Sequence, residues 1–174
     1  MNQKISPNKK NEVNLYNKIF LLSRNKLFYT EIGLEDSFQN RINLIFIHIS
    51  FIFSKVNSFT PNKEFKKFYQ NLFDILFKQI EFNMREIGYG DVLVNKNMKF
   101  LVKSFYNILL YCENFVDKTP ESKINFLYKW LKINNGQKTS NNAFLVDYFN
   151  DFQSFCFDLS AENVLKGDLN YNYN

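Results

Sequence analysis

Residues Met84–Tyr106 read MREIGYGDVLVNKNMKFLVKSFY: a helical pattern stops at a Gly-Tyr-Gly-Asp corner and a second helical pattern starts after it. The corner takes two of the chain's 5 glycines. Glycine enters left-handed backbone conformations cheaply, so the stretch predicts a tight, specified bend between two helices. Gly88 is expected to close the first helix in that conformation. Asp91 is expected to cap the second, accepting backbone N–H bonds and meeting the positive end of the helix. Arg85, Glu86, Lys96 and Lys99 are not explained by the apolar periodicity. Arg85 either pairs with Asp91 or Glu86 and pins the corner, or lies on an exposed polar patch that receives another protein segment.

Working outward, about six helical segments are predicted and no strand. The helix before the corner opens at Thr60-Pro61, a cap followed by proline at the first helical position. Its apolar positions, Phe65, Phe68, Leu72, Leu76, Ile80, Met84 and Ile87, keep 3-and-4 spacing. The helix after the corner carries Val94, Met98, Leu101, Phe105, Leu109, Cys112 and Val116. Upstream, a first helix is expected over Val13–Tyr29, ending in the turn Glu31-Ile32-Gly33-Leu34. Asp36 reads as the N-cap of a second helix, with Gln39 completing a capping-box pattern. That helix, through Val56, is apolar on nearly every side, which belongs in the centre of a bundle. Downstream, Thr119-Pro120 starts a fifth helix that Asn134-Asn135-Gly136 stops, and a sixth spans Asn142–Leu159. The prediction is an all-α, compact single-domain bundle over 12–160. A flexible N-terminus is expected over 1–11 and a flexible tail over 161–174.

Bulk composition agrees. The chain has 174 residues, 45% of them hydrophobic and 21 of them Phe, with only 3 Pro. That is a globular composition, too poor in breakers for a turn-rich β fold. A net charge of +5 is mildly basic and permits an acidic partner or an anionic membrane without requiring either. The lysines are scattered rather than concentrated, which argues against a dedicated nucleic-acid binder. The longest apolar run, Ile42–Phe53, falls short of the roughly 20 residues needed to cross a bilayer. No secretory or transit pattern is read at the start of the sequence.

Catalytic patterns are missing. Cys112 and Cys156 sit in apolar stretches without a metal-ligand neighbour, and read as small buried hydrophobes. The single histidine, His48, excludes a His-rich metal site. It reads either as a buried, hydrogen-bonded residue or as a partner-contacting or proton-sensitive one. No Gly-rich phosphate loop occurs. Gly88-Tyr89-Gly90-Asp91 also resembles an intramembrane aspartyl-protease element, but such an enzyme needs spanning helices and a second aspartate. The expectation is a protein with no metal, no cofactor and no catalytic residue.

With these residues in view, the sequence resembles the ubiquinol–cytochrome c chaperone family, assembly factors for respiratory complex III. The resemblance runs roughly from Leu15 to Phe115. It is most specific at Arg85, Glu86, Gly88, Gly90, Asp91, Lys96, Met98, Lys99, Phe105 and Tyr106. Upstream, Phe28-Tyr29 before Gly33, and Arg41 before His48, fit the same pattern. After the fifth helix the family's Arg-Asn is replaced by Lys132 and Asn134, so partner contacts there depart from the pattern.

The resemblance implies a non-enzymatic assembly factor that binds newly made cytochrome b and assists biogenesis of the ubiquinol–cytochrome c reductase complex. It implies a small helical partner protein in mitochondrial members, and peripheral contact with a membrane surface. The location it suggests is the cytoplasmic face of a bacterial inner membrane, or the mitochondrial matrix and inner membrane. The client-contact candidates are Arg85, Glu86, Tyr89, Lys96 and Lys99, then Arg41 and His48, with Gly88, Gly90 and Asp91 shaping the corner. Two other classes remain as readings: a helical enzyme or carrier with an apolar isoprenoid or quinone pocket, and a ribosome- or RNA-binding module.

Overall fold

The computed structural model describes residues 9–59, 63–133 and 142–173. Eight helices are found among them: α1 (Lys10–Leu22), α2 (Lys26–Thr30), α3 (Phe38–Ser58), α4 (Lys63–Glu86), α5 (Asp91–Glu113), α6 (Pro120–Trp130), α7 (Asn142–Asp158) and α8 (Ala161–Leu165). No strand occurs among the described residues, only an isolated antiparallel bridge between Leu34 and Ile133. The fold is all-α, as predicted. The six long helices correspond to the six expected segments, and α2 and α8 are additional single turns. The expected starts and stops at Thr60-Pro61 and Asn134–Gly136 lie outside the described residues.

The hub is α3. Its sequence is apolar on almost every side, and only burial all round satisfies such a helix. Ile42, Leu44, Ile45, Phe46, Ile47, Ile49, Phe51, Ile52 and Phe53 are all buried. It packs against α1, α4, α5, α7 and α8. Each large side chain so buried contributes about 1.5–3 kcal/mol relative to exposure. The aromatic content is used here. Phe46 meets Phe105 of α5 edge-on at 5.3 Å, and Phe51 meets Phe115 at 5.2 Å. On the other flank, Phe28, Tyr148, Phe149 and Phe152 surround His48.

Four sequence expectations are corrected. The first helix does not run unbroken to Tyr29, because local side chains compete with its ladder. Ser23 Oγ donates to the Phe20 carbonyl at 2.7 Å, and the Asn25 side chain accepts from Leu27 N–H at 3.0 Å, starting α2. The N-cap of α3 is Ser37, whose side chain accepts from Asn40 N–H. Asp36 instead grips Arg41. Ile87 and Val116, read as apolar-stripe positions, are 56% and 67% exposed, because α4 ends at Glu86 and α5 at Glu113, so both lie past their helices, where the 3-and-4 spacing no longer holds a side chain against the core.

The fourth correction is the tail. Residues 161–165 form α8, and the segment after it packs on the body. Leu169 is buried, and the Tyr171 ring meets Phe152 at 4.9 Å and Phe155 at 5.1 Å. Asn11 and Asn14 donate to the carbonyls of Leu165 and Gly167, and Lys18 reaches Asp168 at 3.0 Å. The tail is therefore a strap across α1, built from tyrosines and backbone carbonyls that carry no helical period. At the other end, Lys10 and Asn11 already belong to α1. The rest of the expected N-terminal segment, up to residue 8, lies outside the described residues.

Candidate functional site

The α4–α5 corner closes by a hydrogen-bond pattern that requires one left-handed residue. Tyr89 N–H donates to the Met84 carbonyl at 3.0 Å and Gly88 N–H to the Arg85 carbonyl at 3.1 Å. These are the two bonds of a Schellman C-cap, with Gly88 at its left-handed position. Gly88 has φ +93°, as expected from the sequence. Tyr89, half-buried, packs against the core and brings the chain round. Val94 N–H then donates to the Gly90 carbonyl at 3.0 Å, opening α5.

The N-cap of α5 is Gly90, in extended backbone (φ −71°, ψ 159°), and it contributes no side-chain bond. Asp91 is thus the first helical residue and not the cap, as the sequence suggested. There its charge still favours the positive helix end. Its carboxylate also accepts from the Arg85 guanidinium. Arg85 donates in addition to Glu81 at 3.0 and 3.2 Å. These two carboxylates hold the guanidinium above its ordinary pKa. Of the two readings of Arg85, the pairing with Asp91 is found, and Glu81 is a second partner that the sequence did not single out. All three side chains keep contact with solvent, so the pinning leaves Arg85 accessible.

Around this pinned bend the surface is mixed. Glu86, Lys96 and Lys99 are exposed. Between them stand large apolar side chains that the core leaves out: Phe82, Ile87, Val92, Leu93 and Phe100. Val92 is 85% exposed. Exposed apolar side chains grouped beside charges are the usual mark of an interaction surface. All but Ile87 fall outside the repeating stripe of Ile80, Met84, Val94, Leu101 and Phe105, a signal that does not by itself tell a bare side chain from a loosely packed one.

The two second-choice contact residues are elsewhere. Arg41 is half-exposed and clasped by Asp36, with Nε at 2.7 Å and Nη2 at 2.8 Å from its two oxygens. His48 is completely buried, which removes it from any docking surface. Its Nδ1 donates to the Leu44 carbonyl at 2.6 Å, so Nε2 accepts from the Tyr148 hydroxyl at 2.8 Å. Burial lowers its pKa to about 4. The buried, hydrogen-bonded reading of His48 is the one found, because α7 covers it. Both cysteines are buried too, and burial pushes both thiols up. Among the described residues, no group of three His, Cys, Asp or Glu side chains is placed to hold a metal ion. No helix among them is long and apolar enough to cross a membrane.

An all-helical domain that presents a rigid corner ringed by apolar and charged side chains has the build of a protein-binding chaperone. The chain belongs to the ubiquinol–cytochrome C chaperone family, whose model matches residues 30–123, from the end of α2 through the corner into α6. The crystal structure of the Cbp3 homolog from Brucella abortus superposes with a TM-score of 0.80. It is 23% identical, with 95% of this chain and 91% of that chain covered, and shows the fold. No curated protein matches.

Proposed function

We propose that this chain binds newly made cytochrome b and assists its entry into the ubiquinol–cytochrome c reductase complex, without catalysing a reaction. The observation that carries the reading is the corner: a bend fixed by Gly88 and by the Arg85–Asp91 pair, with Ile87, Val92, Leu93 and Phe100 left outside the core. Membership of the chaperone family supports it. Cytochrome b is a membrane protein, so its unassembled segments offer apolar side chains at helical spacing. Such segments are held by apolar anchors, while the surrounding charges set register and exclude other partners. Arg85, Glu86, Tyr89, Lys96 and Lys99 supply those charges and the aromatic edge. We place this work at the cytoplasmic face of the inner membrane, as a peripheral protein, where a client of this kind first meets water. A small helical partner protein, where one is used, docks outside the corner and leaves it free for the client.

Photo-crosslinking tests the client. A crosslinking residue at Glu86 or Lys96, activated in native membranes, should attach cytochrome b, and the same residue at Glu162 on α8 should not. Equal attachment from all three sites, or from none, would remove the corner as the client surface.

A further inference from the structure

We propose that the outward row of α5 rests on an anionic lipid surface. The proposal rests on the membrane-side placement above and assigns it a face. From Val92 to Cys112 the helix holds Lys96, Lys99 and Lys103 and no acidic residue. All three lysines are exposed, and none forms an ion pair among the described residues. At 3.6 residues per turn, Val92, Lys96, Lys99, Lys103, Tyr106 and Leu110 follow one another along one side. The buried residues Val94, Leu101, Phe105, Ile108 and Cys112 occupy the opposite side, against the bundle. Val92 is 85%, Phe100 59% and Leu110 64% exposed.

The row is the crest of a single helix and not a groove between two. A groove takes up another helix, whereas a crest with apolar tips and lysines between them meets a flat interface. Lysine stems can lie along the apolar tips while their ammonium groups reach headgroup phosphates. Charge selects the sign of that interface. Helix α4 mixes Lys63, Lys66, Lys67 and Lys78 with Glu64, Asp74 and Glu81, so its outer face has no preferred sign. The α5 row carries one sign only, and it attracts an anionic layer.

Vesicle flotation tests it, using phosphatidylcholine alone and phosphatidylcholine mixed with phosphatidylglycerol. The chain should float with the mixed vesicles only, and less as salt rises. Lys103→Gln should weaken binding about five-fold, the value of one lysine near an anionic surface. Leu110→Ser should weaken it as well, with an unchanged circular dichroism spectrum and thermal midpoint. Lys103 and Leu110 lie outside the client corner, so capture of cytochrome b from detergent extract should survive both changes. Equal binding to both vesicle types, binding to neither, or variants that float like the parent chain would overturn the proposal. So would a concentration-dependent dimer dispersed by Leu110→Ser, which assigns the face to a second copy. Retention of an RNA oligonucleotide that Lys103→Gln abolishes, with vesicles ignored, would assign it to nucleic acid. If anionic vesicles are bound and cytochrome b is never captured, the client reading falls and the lipid face stands.

Discussion

At Gly88 the backbone angle, not the space, demands glycine. Its φ is +93°, and a Cβ built there meets nothing within 4 Å. The cost of any other residue is therefore conformational strain of about 1–3 kcal/mol, largest for β-branched side chains. Gly88→Val should lower the thermal midpoint by several degrees, at about 2–4 °C per kcal/mol for a chain of this size. Gly90 makes the contrast. Its backbone is ordinary and its surroundings are open, so Gly90→Ser should be neutral or stabilise by a few tenths of a kcal/mol through the missing cap bond. Differential scanning calorimetry of the two variants checks both. A Gly90→Ser loss as large as that of Gly88→Val would show that the bend is set by something other than the Schellman cap. Gly167 combines both demands: φ is +67°, and an added Cβ would lie 2.2 Å from the Asn11 carbonyl oxygen. Since that oxygen is backbone, Gly167→Ala must displace the strap from α1. Faster amide exchange confined to α8 and the first turns of α1 is the expected signature.

The helices themselves were largely legible, because local signals and packing agree for most of them. Thr119 caps α6 with proline behind it, as its sequence says. The continuous apolar character of α3 announced its central place. What was not legible depends on partners distant in sequence. Nothing near Asn40 reveals that its side chain donates to the Lys132 carbonyl at 2.8 Å and accepts from Lys132 N–H at 2.9 Å, tying the start of α3 to the end of α6. Nothing near Lys123 reveals that it is buried, bonded to Asn150 at 2.8 Å and set over the Phe115 ring. The corner was readable as a bend, since Gly88 is a local requirement. Its exposed apolar ring was not, because an unpatterned Val92 or Phe100 reads the same whether loosely packed or bare. The α3–α7 contact gives a test of one such distant tie. Tyr148→Phe removes the hydroxyl that satisfies His48 Nε2 and leaves a buried acceptor unpaired. A loss of about 1–3 kcal/mol in urea unfolding is expected. A neutral outcome would mean that water or another donor reaches Nε2.

Across the whole bundle, stability should depend on one proton. His48 is enclosed by Phe28, Tyr148, Phe149 and Phe152, and no charged group faces it among its described ring and hydrogen-bond contacts. Its pKa falls from 6.5 to about 4, first because burial penalises the charged form; the bond to the Leu44 carbonyl opposes that shift without cancelling it. The sign follows from proton counting. Between pH 6.5 and about 4 the unfolded chain binds a proton here that the folded chain does not, so acid favours unfolding over that window. The contribution is fully present above the unfolded pKa and is lost as pH falls through the window. At 1.36 kcal/mol per pKa unit, the loss is on the order of 3 kcal/mol. Most of it accrues above the range in which ordinary carboxylates titrate, so it is separable from general acid denaturation. Urea midpoints measured at closely spaced pH values should slope downward from near neutrality in the parent chain. His48→Gln, less stable at every pH because it repacks the aromatic cage, should lose that slope. A parent chain whose midpoint stays flat until the carboxylates titrate would mean that the cage opens to water and the imidazole keeps its ordinary proton affinity.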